Sequence, residues 1–346
     1  MSINFATLQG LVIPEGVVTQ IVDQHGNTIM QSGGWTKDLD TGLEFKSTSQ
    51  FVISVSSRQW NGAMEYCNSK NGWKTWTGGS IAAGEFRGQY YLYVRGRNNT
   101  KITGAENAQL AWSLSVQDSA AGVECNGNIE NLLNYTTVQQ GQHPTMANYC
   151  FTYLFKQWTN LITAPSLPAT TLTLRCYNRM FQECSRLTNP PELPSTSIAE
   201  SCYDMMFVGC TSLITAPSLP ATTLAKNCYW GMFNGCTSLE LPPSLPATTI
   251  AYGCYQNMFY GCANLIGLPQ LPALTLQPYC YTNMFYNCSK IRLSTTGDAV
   301  NYPTEYRIPP TGKATMTNSN SVQNMFALTV KPNVTYYLHS SNVIVE

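Results

Sequence analysis

Apolar positions along residues 150–293 recur with one fixed period. A cysteine stands at Cys150, Cys176, Cys202, Cys228, Cys254 and Cys280, so every interval is 26 residues. With that cysteine as position one, positions one, five and nine hold Cys, Met and Cys, as in Cys176, Met180 and Cys184 or Cys202, Met206 and Cys210. Spacing of i, i+4 and i+8 predicts one face of a short helix. Tyr177 and Phe181 form a neighbouring i, i+4 pair, repeated at Tyr203/Phe207, Tyr229/Phe233, Tyr255/Phe259 and Tyr281/Phe285. A ladder of Leu161, Leu187, Leu213, Leu239, Leu265 and Ile291 then opens a short extended segment. Proline cannot donate to a sheet, so Pro165, Pro191, Pro217, Pro243 and Pro269 stop it. A second proline ladder, Pro168 to Pro272, stiffens the return.

Each turn therefore reads as a strand, a proline-braced return and a short helix. No turn can bury its Met, Phe and Leu alone, so six turns are expected to stack as a solenoid, roughly 29 Å long at ~4.8 Å per turn. The ends depart from the pattern. In the first turn Phe151, Leu154 and Trp158 replace Tyr, Met and Cys. After Cys288 the prolines are lost, and the motif echoes only at Asn324-Met325-Phe326-Ala327-Leu328, with Met325 41 residues beyond Met284. Residues 121–149 are expected to form a connector and N-terminal cap, with Ile129–Tyr135 helical, and residues 294–346 a C-terminal cap.

Upstream the period changes. Residues 37–120 show short aromatic and β-branched runs between Gly, Asn and Ser turns: Leu43–Ser47, Phe51–Ser56, Ala63–Cys67, Trp73–Trp76, Tyr90–Arg95 and Trp112–Val116. They predict a β-sandwich. Residues 1–36 read as a β-hairpin, Val17–Asp23 against Thr28–Gln31, on a Ser32-Gly33-Gly34 hinge. It is either an extra strand pair on the next domain or a docking segment. The fold class expected is mainly β with short helices: hairpin, sandwich, then a six-turn solenoid with a C-terminal cap.

Composition narrows the function classes. Only 11% of residues are charged, and 19 Lys plus Arg balance 19 Asp plus Glu, so nothing favours nucleic acid or an anionic membrane. No apolar run reaches the ~18 residues of a membrane span. No signal peptide is visible at the start, which leads to the expectation of a protein that is not exported.

Of the 13 cysteines, all but Cys67 and Cys125 occupy two fixed repeat positions, so the repeat explains them before redox chemistry does. Their Cys-x7-Cys spacing is unlike a zinc site, and a reduced ladder of small apolar side chains is expected. His25, His143 and His339 fall in three separate regions with no nucleophile–base–acid constellation around them. No enzyme activity, cofactor or metal is expected. Trp60, Trp73, Trp76, Tyr90, Tyr91, Tyr93 and Trp112 read as sheet packing or as a sugar-stacking platform.

Where the repeat varies, it points outward. Asn178, Asp204, Trp230, Gln256 and Thr282 share position three, and Gln182, Val208, Asn234, Tyr260 and Tyr286 share position seven. Both stripes are expected at the solvent surface. Trp230, Tyr260, Tyr286, Asp204 and Gln256 are the candidate contacts for a glycan or protein.

The unit Cys-Tyr-x-x-Met-Phe-x-Gly-Cys-Thr-Ser-Leu, followed by Pro-x-Leu-Pro-Ala-Thr-Thr-Leu, resembles the BspA-like leucine-rich repeat of gut Bacteroidetes and their phages. The opening Leu8-Gln9-Gly10-Leu11-Val12-Ile13-Pro14-Glu15-Gly16-Val17-Val18-Thr19 resembles the start of structural proteins in Bacteroides-infecting phages, including the crAss-like group. Together these resemblances imply a virion protein, a head or tail fibre or decoration protein, assembled in the host cytoplasm and carried on the particle exterior. Leu8, Leu11, Ile13, Val18 and Ile21 would attach it to other virion proteins, and the repeats would face host glycan or protein. They also imply a homo-oligomer, with a trimer favoured, and no membrane insertion. The other family member they suggest is a Bacteroidetes cell-surface adhesin.

Overall fold

The computed structural model describes residues 20–22, 28–31, 39–55, 60–69, 71–103, 113–117, 120–291, 306–311, 314–327 and 343–345. Among the described residues the fold is mainly β, with one α-helix and several sheets. β1 (Gln20–Val22) and β2 (Thr28–Gln31) are antiparallel, with Ile21 opposite Met30. Leu8, Leu11, Ile13 and Val18 lie outside the described residues.

Next come β3 (Leu43–Ser47), β4 (Val52–Val55), β5 (Ala63–Cys67), β6 (Lys74–Trp76), β7 (Gly79–Ala82), β8 (Gly84–Phe86), β9 (Gln89–Arg97), β10 (Ser115–Gln117) and β11 (Val123–Asn126). Alternation decides their faces. In β3, Leu43, Phe45 and Ser47 are buried while Glu44 and Lys46 are partly exposed. β10, β4 and β7 make a three-stranded sheet. β11, β3, β9, β5 and β6 form the path of a larger one, and β8 pairs with β9 beside that path. Phe51, just before β4, and Ile53 and Ile81 from the small sheet share one apolar cluster with Leu43, Phe45, Leu92 and Val94 from the large one.

The large sheet does not stop at residue 120. β11 pairs antiparallel with β3 and parallel with β12 (Leu161–Thr163), so the sheet runs directly into the first repeat turn. α1 (Asn131–Gln139) packs on β9, where a Cβ at Gly96 would lie 1.7 Å from the Leu132 carbonyl oxygen. Only glycine permits that approach. Arg95 fixes the same joint. Its guanidinium lies 3.9 Å from the Trp73 ring centre and 4.0 Å from that of Tyr135, and its Nε bonds Glu65 at 2.7 Å.

The 26-residue units stack as coils. Within each, the segment that the i, i+4, i+8 spacing predicts as a short helix is instead a chain of hydrogen-bonded turns. Odd-position amides close turns inside their own coil, as Asn178 N–H to Arg175 C=O and Met180 N–H to Tyr177 C=O. Even-position amides cross to the following coil, as Tyr177 to Cys202, Arg179 to Asp204, Phe181 to Met206 and Glu183 to Val208. A left-handed residue resets the chain every fourth position: Arg175, Arg179 and Glu183 in one coil, Ser201, Met205 and Gly209 in the next. An α-helix would spend its amides within the coil. The turn chain sends half of them across the stack.

Beyond β12, the predicted strands shrink to isolated parallel bridges, such as Thr163–Asn189 and Thr215–Leu241, because the flanking prolines offer no N–H. Packing completes the stack. The phenylalanines from Phe155 to Phe285 form one column, and Phe151 with the tyrosines from Tyr177 to Tyr281 another; successive rings in the Phe181–Phe207 and Tyr203–Tyr229 pairs sit 5.6 and 5.9 Å apart. These are offset-stacked aromatic distances.

Both ends are capped by backbone. Ile102 and Thr103 donate to Cys150 C=O, Leu114 donates to Leu154 C=O, and the Trp158 indole donates to Leu114 C=O. At the other end Tyr281, Asn283, Phe285 and Asn287 donate to Ser321, Gln323, Met325 and Ala327, so residues 321–327 take the place of a seventh coil. Asn324 keeps the left-handed conformation of its repeat position, and Phe326 stacks on Phe285 at 5.3 Å. Of the last strands, β13 (Thr275–Leu276) pairs with β15 (Thr315–Met316), and β14 (Tyr306–Ile308) with β16 (Val343–Val345). Among the described residues, no helix is long and apolar enough to cross a membrane.

Candidate functional site

The two variable stripes have different fates. Position seven stays accessible: Gln182, Val208, Asn234, Tyr260 and Tyr286 are all partly exposed. Tyr260 and Tyr286 lie in successive coils with ring centres 4.7 Å apart and planes within 3°. They form a two-ring plate on the side of the stack.

Position three corrects the sequence expectation. Asn178, Asp204 and Thr282 are buried, and Trp230 and Gln256 are only partly exposed. On a helix this position would turn away from positions one, five and nine. On the turn chain it tucks against the neighbouring coil, where a polar side chain can bind backbone. Thr152 Oγ1 donates to Arg175 C=O, Asn178 Nδ2 to Asp204 C=O at 3.2 Å, and Thr282 Oγ1 to Asn320 C=O. Variation here changes the clamp between coils.

Asp204 is therefore not a contact residue. Its Oδ1 is sealed from solvent and, among the described residues, has no hydrogen-bond partner. Burial pushes its carboxyl up to about 7, against the opposing pull of Arg179 and Arg175 and the Asn178 hydrogen bond. A carboxylate, unlike Asn178 or Thr152, has no proton to give the next coil. The Trp230 indole N–H is likewise buried and unbonded, and among the described residues Trp230 makes no ring contact with Tyr260 or Tyr286. Of the five candidate contacts, the structure brings together only the two tyrosines.

The cysteines are free and buried, all 13 of them. Position nine adds a role that the sequence does not suggest: Cys184, Cys210, Cys236, Cys262 and Cys288 each donate their thiol to the carbonyl of the position-six phenylalanine one coil earlier, at 3.0–3.1 Å. Burial pushes the Cys176, Cys254 and Cys288 thiols up to about 12. Thiolate is the metal-binding and nucleophilic form, so these columns are chemically quiet. Among the described residues, no three His, Cys, Asp or Glu side chains converge as metal ligands do.

Upstream of the repeats, Trp60 and Trp76 are core residues with ring centres 5.3 Å apart. Tyr91 and Tyr93 stack in register on β9 at 6.3 Å, and Tyr93 donates to Glu44 at 2.8 Å. Trp112, His25 and His339 lie outside the described residues.

One constellation escaped the sequence reading. His143, there an isolated histidine, places Nδ1 2.8 Å from Glu130 Oε2. The Glu130 side chain is 2% exposed and that of His143 51%. Burial raises the Glu130 carboxyl, while the hydrogen bond and charge of His143 and a bond from Asn128 pull it back. A charged residue within the Ile129–Tyr135 segment, expected to cap the repeats, was the available signal.

Searches against family models, curated proteins and solved structures return no match. The leucine-rich-repeat resemblance therefore rests on the repeat residues themselves.

Proposed function

We propose that this is a non-enzymatic structural and adhesive protein of a phage virion, built on a leucine-rich-repeat solenoid of BspA-like type. Its N-terminal hairpin attaches it to the particle, and its coils face outward toward host glycan or protein. The observation that carries the adhesive half is the Tyr260–Tyr286 plate, two parallel rings at variable positions on a stack whose fixed positions are consumed by the core. Partly exposed stacked rings suit the C–H groups of a sugar or a partner's apolar side chain.

The anchoring half draws on topology. Among the described residues, β1 and β2 pair with each other and with no other strand. A hairpin that adds nothing to the sandwich sheets suits a docking element better than an extra strand pair.

The test of adhesion is a Tyr260→Ala/Tyr286→Ala double variant. Both side chains are partly exposed, so the fold should persist while adsorption to host cells falls. Unchanged adsorption with unchanged melting would remove the plate from the account.

A further inference from the structure

A cavity of about 260 Å³ lies where the start of α1 meets the return segment of the first coil. Glu130, His143, Pro144, Met146, Ala169, Thr170, Thr171 and Thr173 line it. Glu130 occupies the N-cap position of α1, where a carboxylate ordinarily accepts the first free helix amides. Here the side chain caps nothing. Its carboxylate oxygens instead meet His143 Nδ1, at 3.0 and 2.8 Å, and border the cavity. An almost fully buried carboxylate, held by a half-exposed imidazole and Asn128 rather than capping its own helix, leaves a polar group on the cavity wall.

We infer that this cavity binds one neutral pyranose unit of a glycan. Its volume suits one ring: drug-sized ligands fill pockets of ~300–1,000 Å³, and this one is slightly smaller. Charge excludes an anion, because the carboxylate on the wall offsets the single imidazole. A lone divalent cation would find a single carboxylate in the lining, already bonded to His143. The polar groups fit a polyol. Glu130 offers acceptors, and His143 keeps Nε2 free of any hydrogen bond among the described residues. The Thr170 and Thr171 hydroxyls, exposed at the rim, are also unbonded among the described residues. Thr173 is already committed to Ala147 C=O at 2.9 Å. Pro144, Met146 and Ala169 supply the apolar wall that a ring's C–H face requires. Vicinal hydroxyls can thus be bonded from two sides while the ring lies against carbon.

The inference shares its ligand class with the adhesive reading but none of its residues. The test is saturation-transfer NMR on the full chain with a panel of neutral free pyranoses, and with inorganic phosphate and calcium as controls. At least one pyranose should bind, and Thr170→Val/Thr171→Val should weaken it about tenfold or more, the loss expected for a hydrogen-bond pair, without moving the melting temperature. Glu130→Gln should weaken it too; if that variant fails to fold, the exposed threonine pair still decides. Tyr260→Ala/Tyr286→Ala should leave this signal intact. No pyranose binding, binding unaffected by the threonine changes, or occupation by phosphate or calcium instead would overturn the inference. Host-cell adsorption that survives such a result would leave the tyrosine plate standing.

Discussion

The Cys210 thiol donates to the main-chain carbonyl of Phe181, one coil earlier, across 3.1 Å. The same carbonyl accepts the Cys184 amide at 3.1 Å, so one oxygen ties a turn inside its coil and the next coil to it. Cysteine fits because it is small, apolar in bulk and still a donor. Cys236→Ala, at the equivalent site, should cost roughly 1–3 kcal/mol from the lost bond and the small void. Chemical denaturation reads that cost. At pH 8 the folded protein should resist thiol reagents and react only in denaturant; rapid labelling of the native chain would contradict the buried columns.

Position eight tests the turn chain. Gly261 has φ +71°, and a Cβ there would meet no atom within 4 Å. Any cost of Gly261→Ala then comes from left-handed backbone alone, about 1–2 kcal/mol. A helical coil would instead gain from alanine. The sign of the stability change separates the two geometries.

Asp204 gives the stack a pH dependence. Its folded carboxyl is raised to about 7 from 3.8, so the folded state binds the proton more tightly than the unfolded chain. Its contribution therefore favours folding at low pH and is lost as pH rises from about 4 through about 7. At ~1.4 kcal/mol per pKa unit the swing is roughly 4 kcal/mol. Asp204→Asn should flatten it and stabilise the protein at pH 8, since an amide can donate to the next coil as Asn178 does. Melting temperatures of the two proteins at pH 5 and pH 8 check the sign.

The phenylalanine column tests cooperativity. Phe233 stacks on Phe207 and Phe259, each at 5.7 Å. Phe233→Ala should cost roughly 3–5 kcal/mol and loosen both neighbouring coils, seen as faster amide exchange there.

Much of this was legible in the chain, for physical reasons. The ladders of Cys, Met, Phe and Leu are all buried, because stacking identical coils turns a sequence period into a column. The displaced Met325-Phe326 fragment is found as the seventh coil, since the 41-residue offset restores register after an insertion. The helices were misread because apolar residues four apart suit a helix and this turn chain equally. Gly209, Gly235, Gly261 and Asn287 at position eight, and Gly231, Asn257 and Asn283 at position four, were the discriminating signal, because those residues tolerate positive φ. With the wrong local geometry, Asp204 was placed at the surface. Glu130 and His143 could not be paired from sequence, because the first coil's return assembles the cavity beside them.

Attachment to a particle through the N-terminal segment is tested most directly by incorporation. Purified virions should contain the full chain by quantitative mass spectrometry, while a chain lacking residues 1–33 should be absent from them yet melt at the same temperature. Equal incorporation of the truncated chain, or absence of the full chain from virions, would contradict it.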